Sequence, residues 1–255
     1  MIYRPLKHTK VGTQFPRWKK SLNYQMFQEN CTKYRIIEIV GIILMIVFSA
    51  FLVSLQGLAG TYQSCFKNVD IGFAIDSSDS ATTQGYTQQK QLVQRLSSYY
   101  DISKQDTRVG VVLYSDRAFT TVGMNSYRDS SILKRAVGAL PRLGGGNRKD
   151  KALVTARRMF KARRPSGSSK ATQVLVFITE GAQSGVAAEM LPLERAVHPL
   201  RKHGVRVIVV GVGRQVLYQE LRSIAQDPKD IYLTSSLDDL EKATRELMKI
   251  ICKVR

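Results

Sequence analysis

Residues 69–80 read V-D-I-G-F-A-I-D-S-S-D-S. Val69–Ile75 is an apolar run, broken by Asp70 and Gly72, with the composition of a buried strand. At Asp76 the chain changes character, to a short loop holding two carboxylates and three hydroxyls. A strand that ends in Asp-x-Ser-x-Ser sets hard oxygen donors at the carboxyl edge of a sheet, where open α/β sheets bind ligands.

Downstream, strands and helices alternate. A helix is expected over Tyr86–Tyr100, with Leu92, Val93 and Leu96 on one face, and a central strand over Arg108–Tyr114. Ala118–Met124 follows after only Ser115-Asp116-Arg117, too short for a crossover, so this pair should form an antiparallel hairpin at one edge. Ser130–Leu140 reads as an amphipathic helix stopped by Pro141, and Gly144-Gly145-Gly146 as a loop before a helix over Asp150–Ala162. Strands are expected at Gln173–Ile178, Val205–Val212 and Ile231–Thr234, and helices within Gly185–His203, Leu217–Ala225 and Leu237–Cys252. The pattern predicts a doubly wound α/β domain over 69–252, its mostly parallel sheet carrying one antiparallel edge strand and helices on both faces.

The segments before it have another character. Residues 1–35 are polar and basic without periodicity and read as a disordered tail. Ile39–Leu55 is seventeen residues without a charge, apolar on every face, and residues 36–57 are expected to form a transmembrane signal-anchor helix, with 58–68 as linker. Lys and Arg concentrate before this run, which places the N-terminus in the cytoplasm and the domain outside. The alternative is a cleaved signal peptide, with Gly57-Leu58-Ala59 as the small-x-small site, giving a secreted protein.

The formal charge is +19, from 39 basic and 20 acidic residues. Residues 1–64 hold 8 and 2 of these, so 31 basic and 18 acidic residues fall on 65–255, a surplus of 13. Such a surplus suits a polyanion, here a sulfated glycan or anionic lipid, although charge alone identifies no partner. The densest basic run is Arg157, Arg158, Lys161, Arg163, Arg164 and Lys170. Catalysis is not expected. His198 and His203 are five apart and cannot stand side by side as metal ligands, there is no G-x-S-x-G or C-x-x-C, and Gly211-Val212-Gly213 lacks the third glycine of a dinucleotide fingerprint.

Four ordered stretches carry a resemblance: D-I-G-F-A-I-D-S-S-D-S at 70–80, L-P-R-L-G-G-G-N at 140–147, V-L-V-F-I-T-E-G at 174–181, and L-R-K-H-G-V-R-V-I-V-V-G-V-G at 200–213. The sequence here resembles the von Willebrand factor type A domain, found in integrin inserted domains, matrilins and collagen-type matrix proteins. The resemblance implies a Rossmann-like fold and adhesion to a matrix or cell-surface protein through the face that carries the Asp-x-Ser-x-Ser loop. It also implies a divalent-cation site, for Mg²⁺ or Mn²⁺, made of Asp76, Ser78, Ser80, Asn147 and Glu180. Two positions depart from the family's pattern: Asn147 stands for a Thr and Glu180 for an Asp. Mg²⁺ needs near-octahedral oxygens at about 2.0–2.1 Å, so both changes bear on the site. Similar extracellular domains close their neighbouring termini with a disulfide, which here would join Cys65 and Cys252. Partners implied are thus an extracellular protein, the membrane through the N-terminal helix, and a sulfated glycan, with nucleic acid not among them.

Overall fold

The computed structural model describes residues 41–48, 68–103, 106–167, 170–225 and 227–252. The chain divides into two compact units, Met1–Tyr62 and Gln63–Arg255. In the first, residues 41–48 are helical with every side chain exposed. Among the described residues no helix is long and apolar enough to cross a membrane. The expected tail at 1–35, most of the expected span at 36–57, and Cys65 lie outside the described residues.

The second unit is built on six strands: β1 (Val69–Asp76), β2 (Arg108–Tyr114), β3 (Ala118–Val122), β4 (Thr172–Thr179), β5 (Val205–Val212) and β6 (Ile231–Thr234). Six helices accompany them: α1 (Thr83–Ser97), α2 (Ser130–Gly138), α3 (Lys149–Phe160), α4 (Leu193–Lys202), α5 (Tyr218–Ile224) and α6 (Leu240–Cys252). The sheet order is β3-β2-β1-β4-β5-β6, with β2–β3 antiparallel and every other pair parallel. The doubly wound sheet with one antiparallel edge strand is therefore present.

Strand alternation distributes the core. Val69, Ile71, Phe73 and Ile75 of β1 face one apolar layer with Leu92, Leu96, Leu133 and Leu247, while Ala74 faces the other with Leu153, Phe177 and Leu200. All eight residues of β1 and all seven of β2 are buried, as central parallel strands covered on both faces must be. Gly72 and Gly110 lie opposite each other in the β1–β2 register. A Cβ at Gly72 would stand 2.7 Å from the Phe160 ring, and one at Gly110 would stand 2.5 Å from the Met159 sulfur. The two glycines thus let α3 lie close on the sheet.

Helix boundaries shift where capping outweighs hydrophobic periodicity. α1 starts three residues before the expected Tyr86 because the Thr82 hydroxyl caps it, accepting from the Gly85 N–H at 2.9 Å. The expected helical stretch 185–203 divides into a short 3₁₀ turn at Ala187–Glu189 and α4, whose N-cap is Pro192. α6 begins at Leu240 rather than Leu237, because the Asp239 carboxylate accepts from the Lys242 N–H at 2.8 Å.

Candidate functional site at the carboxyl ends of the strands

Asp76 ends β1 and is fully buried. Its carboxylate is surrounded by donors from its own loop and from two other segments. Oδ1 accepts from the Ser78 N–H at 3.1 Å and the Ser78 hydroxyl at 2.5 Å. Oδ2 accepts from the Asn147 amide at 2.8 Å, the Thr179 hydroxyl at 3.1 Å and the Glu180 N–H at 3.1 Å. Five donors on one carboxylate supply what solvent would otherwise provide, which lets the charge sit at zero exposure.

The loops are stitched together so that these donors converge. The Ser77 N–H donates to the Tyr114 carbonyl at 2.8 Å, and Gly144 and Leu143 donate to the Ser77 carbonyl and hydroxyl at 2.8 and 2.7 Å. Asp79, the extra carboxylate of the loop, accepts from the Gly145 N–H at 2.8 Å and so binds the glycine loop instead of the Asp76 cluster. Below them the Tyr114 hydroxyl donates to the Ile178 carbonyl at 2.8 Å, and burial pushes its pKa far above the ordinary tyrosine value.

Four of the five residues expected to hold a cation come together. Ser78 and Ser80 hydroxyls are 2.7 Å apart, and the Asn147 amide nitrogen reaches Ser80 at 3.1 Å as well as Asp76. The Glu180 side chain goes elsewhere. Its carboxylate accepts from Gln89 at 2.7 Å and lies over Gly85, where an added Cβ would stand 2.4 Å from it. The extra methylene of Glu180 is accommodated because α1 carries no side chain at that point. Burial raises the Glu180 carboxyl above its ordinary value, with the Gln89 hydrogen bond opposing and the charge of Asp76 adding to the rise.

The donor set decides how well a cation fits. A divalent ion needs lone pairs aimed at one point, whereas here an N–H₂ group of Asn147 points at both Asp76 and Ser80. As arranged, the cluster does not fit a cation. The Asn147 Oδ1 is buried without a hydrogen-bond partner. Among the described residues there is no group of three His, Cys, Asp or Glu side chains able to hold a metal.

Several residues of this region were not singled out in the sequence. Gln89 shares the inward face of α1 with Leu92, Val93 and Leu96, so helical spacing pointed to it. It clamps the site, accepting from the Asp76 N–H at 2.9 Å and donating to the Asp76 carbonyl at 3.2 Å. Lys149 gave no signal, since a lysine in a helix's first turn ordinarily faces solvent. It is fully buried, donating to the Gly181 carbonyl at 2.5 Å and Glu220 at 2.6 Å. Burial pulls its ammonium below the ordinary lysine value and Glu220 opposes that pull.

The basic run does not form one surface. Arg164 pairs with Asp70 and, with Lys170, lines a cleft at the opposite end of the sheet. Arg158 lines a separate groove with Arg117, Phe119 and Lys151. Lys161 and Arg163 are exposed, and Arg157 is half-buried with its Nε unpartnered.

The family model described as the von Willebrand factor type A domain matches residues 70–246. The collagen alpha-4(VI) chain of Mus musculus is 27% identical over 194 residues, covering 75% of this chain and 8% of that one. Matrilin-3 of Homo sapiens is 28% identical over 193 residues, covering 73% of this chain and 38% of that one. The chain thus spans well under half the length of these relatives. Among solved structures, proximal thread matrix protein 1 from the mussel byssus matches with TM-score 0.66 and 27% identity, over 74% of this chain and 47% of that one. A second structure of that mussel protein has a zinc-occupied MIDAS motif and matches with TM-score 0.64 and 25% identity, over 74% of this chain and 47% of that one. Sheet order, loop sequence and family match agree, and the chain belongs to the von Willebrand factor type A domain family.

Proposed function

We propose that this domain is an extracellular protein-binding module that docks a matrix or cell-surface protein on the face made by the carboxyl ends of the strands, and does so without a resident cation. Cation-free docking is supported by the Asn147 amide, whose N–H₂ donates to both Asp76 and Ser80. An internal donor there gives the buried carboxylate and the Ser80 hydroxyl a hydrogen-bonding partner from the protein itself. The same end of the sheet presents apolar side chains suited to protein contact: Leu143 is 40% exposed, Val186 60%, Leu217 53% and Tyr218 51%. Leu143, Val186 and Leu217 sit on loops that lead from or toward the strand ends, and Tyr218 opens α5.

A metal-bridged contact is the second reading, favoured by one atom. Turning the Asn147 amide over would give its unpartnered Oδ1 to an ion beside Ser78 and Ser80. Mg²⁺ or Mn²⁺ would then supply an open coordination position for a ligand carboxylate. The relatives named as collagen and matrilin chains support a matrix setting, reached by a single-pass anchor at 36–57 or by secretion after cleavage. Protease protection of the domain in sealed vesicles separates the anchored form from the secreted one.

The test of the binding face uses the full chain on a panel of immobilised matrix proteins, fibrillar collagen first, in EDTA and in Mn²⁺. Binding is expected to persist in EDTA and to weaken about tenfold or more in Val186→Asp/Leu217→Asp, as loss of apolar anchors at an interface centre does. Binding that EDTA abolishes selects the metal-bridged reading. Binding indifferent to the double substitution places the ligand on another face.

A further inference from the structure

The amino ends of the strands, opposite the Asp76 cluster, enclose a cleft of about 1280 Å³ lined by the start of β1, β2, β4 and β5 and by the end of α4. Its cations are Arg108, Arg164, Lys170, Arg201 and Arg206, with His203 beside them. Its acids are Asp70, Asp227 and Asp230, and each is already engaged. Asp70 is shared by Arg108 and Arg164, Asp230 is paired with Arg206, and Asp227 accepts from the Lys229 N–H at 2.9 Å. Five basic side chains against three carboxylates leave the lining with surplus positive charge.

Arg201 adds to that surplus. Its Nη2 donates to the Ser223 and Ile224 carbonyls at 3.0 and 2.8 Å, its Nε is buried without a partner, and no ion pair to it is formed among the described residues. Burial pulls its guanidinium below the ordinary arginine value, with the charge of Glu194 opposing. Lys170 is exposed at the rim, and so is His203, whose Nδ1–H donates to the Pro199 carbonyl at 2.7 Å. Neither makes an ion pair among the described residues.

We propose that this cleft binds a segment of sulfated glycosaminoglycan chain, its sulfates and carboxylates facing Lys170, Arg201 and Arg164. Size supports a chain over a lone anion: the volume exceeds the roughly 300–1,000 Å³ that holds a drug-sized ligand. The cations are spread over several elements, as an extended polyanion requires and a single phosphate does not. The site is independent of the Asp76 cluster, so one protein face and one glycan face could be engaged together.

The test is calorimetry of the full chain with a heparin-derived octasaccharide at about 150 mM salt, where bare surface charge is largely screened. Lys170→Glu/His203→Ala changes two exposed rim residues and is expected to raise Kd about tenfold or more, with a shallower salt dependence. Arg158→Glu, the same formal charge change in the separate groove, is expected to shift Kd less than about twofold. Equal losses in both variants would mean diffuse basicity and overturn the site. Absence of octasaccharide binding, or equal binding of the desulfated octasaccharide, would overturn it as well. Tighter, Lys170-dependent binding to phosphatidylserine vesicles than to the octasaccharide would also contradict it, by making the ligand a lipid surface. Melting curves confirm that each variant is folded.

Discussion

Asp70→Ala is expected to remove about 3–5 kcal/mol of folding stability, measured by urea denaturation of the full chain. Asp70 and Arg108 are partners across the β1–β2 ladder and are 1% and 2% exposed. Arg108 grips both carboxylate oxygens, at 2.8 Å through Nε and 2.7 Å through Nη2, and Arg164 adds a further bond to Oδ1. Its remaining nitrogen, Nη1, donates to Asn125 and to the Ala162 and Arg163 carbonyls. Removing the carboxylate strands a guanidinium at the base of the sheet with neutral acceptors only. The loss compares with a total stability of about 5–15 kcal/mol for a domain, so the variant stands near unfolding. Asp70→Ala combined with Arg108→Met should recover a good part of the loss, since an apolar pair replaces the stranded charge. A loss below about 1 kcal/mol, the range of an exposed ion pair, would show that the cluster is solvated.

Asp76→Asn is expected to cost about 2–4 kcal/mol in EDTA, with no metal involved. The change is nearly isosteric, so the cost isolates the hydrogen bonding. Both carboxylate oxygens accept only: Ser78 donates twice to one, and Asn147, Thr179 and Glu180 donate to the other. An amide N–H₂ placed on either side therefore faces donors, and buried donors lose their acceptor. In a site emptied of metal by EDTA, where Asp76 had no other role, the same substitution would be close to neutral or stabilising. Urea denaturation of both proteins in EDTA distinguishes these outcomes.

Strand placement was legible because central parallel strands leave long apolar runs, and β2 and β5 begin and end where those runs do; the short edge strand β6 also falls at its expected bounds. The hairpin edge was legible from a three-residue connection alone. Helix starts were less so, because Thr82 and Asp239 set them by single side-chain bonds that hydrophobic spacing does not register. In the site, Asp76, Ser78, Ser80 and Asn147 could be read as neighbours, yet the direction of Glu180 depended on Gly85, a residue on another element. Lys149 was invisible for the same reason. Its burial is set by Gly181 and Glu220, 32 and 71 residues away. The basic run Arg157–Lys170 misled because adjacency in sequence does not survive a helix end and a turn: Arg158 and Lys170 line different cavities.

The Asp76 cluster is held by its own donors, with the Asn147 amide bonded to both Asp76 and Ser80. The most direct test is the melting temperature of the full chain in EDTA and in about 1 mM Mn²⁺, a hundredfold excess over a 10 μM site. Occupancy of such a site would add about 2.7 kcal/mol. At about 2–4 °C per kcal/mol for a domain of this size, that is roughly 5–11 °C. A shift within about 1 °C is expected for the natural sequence, and a clear rise for Asn147→Thr, which exchanges the amide for a hydroxyl oxygen. A rise of several degrees in the natural sequence, lost in Asp76→Asn, would contradict it.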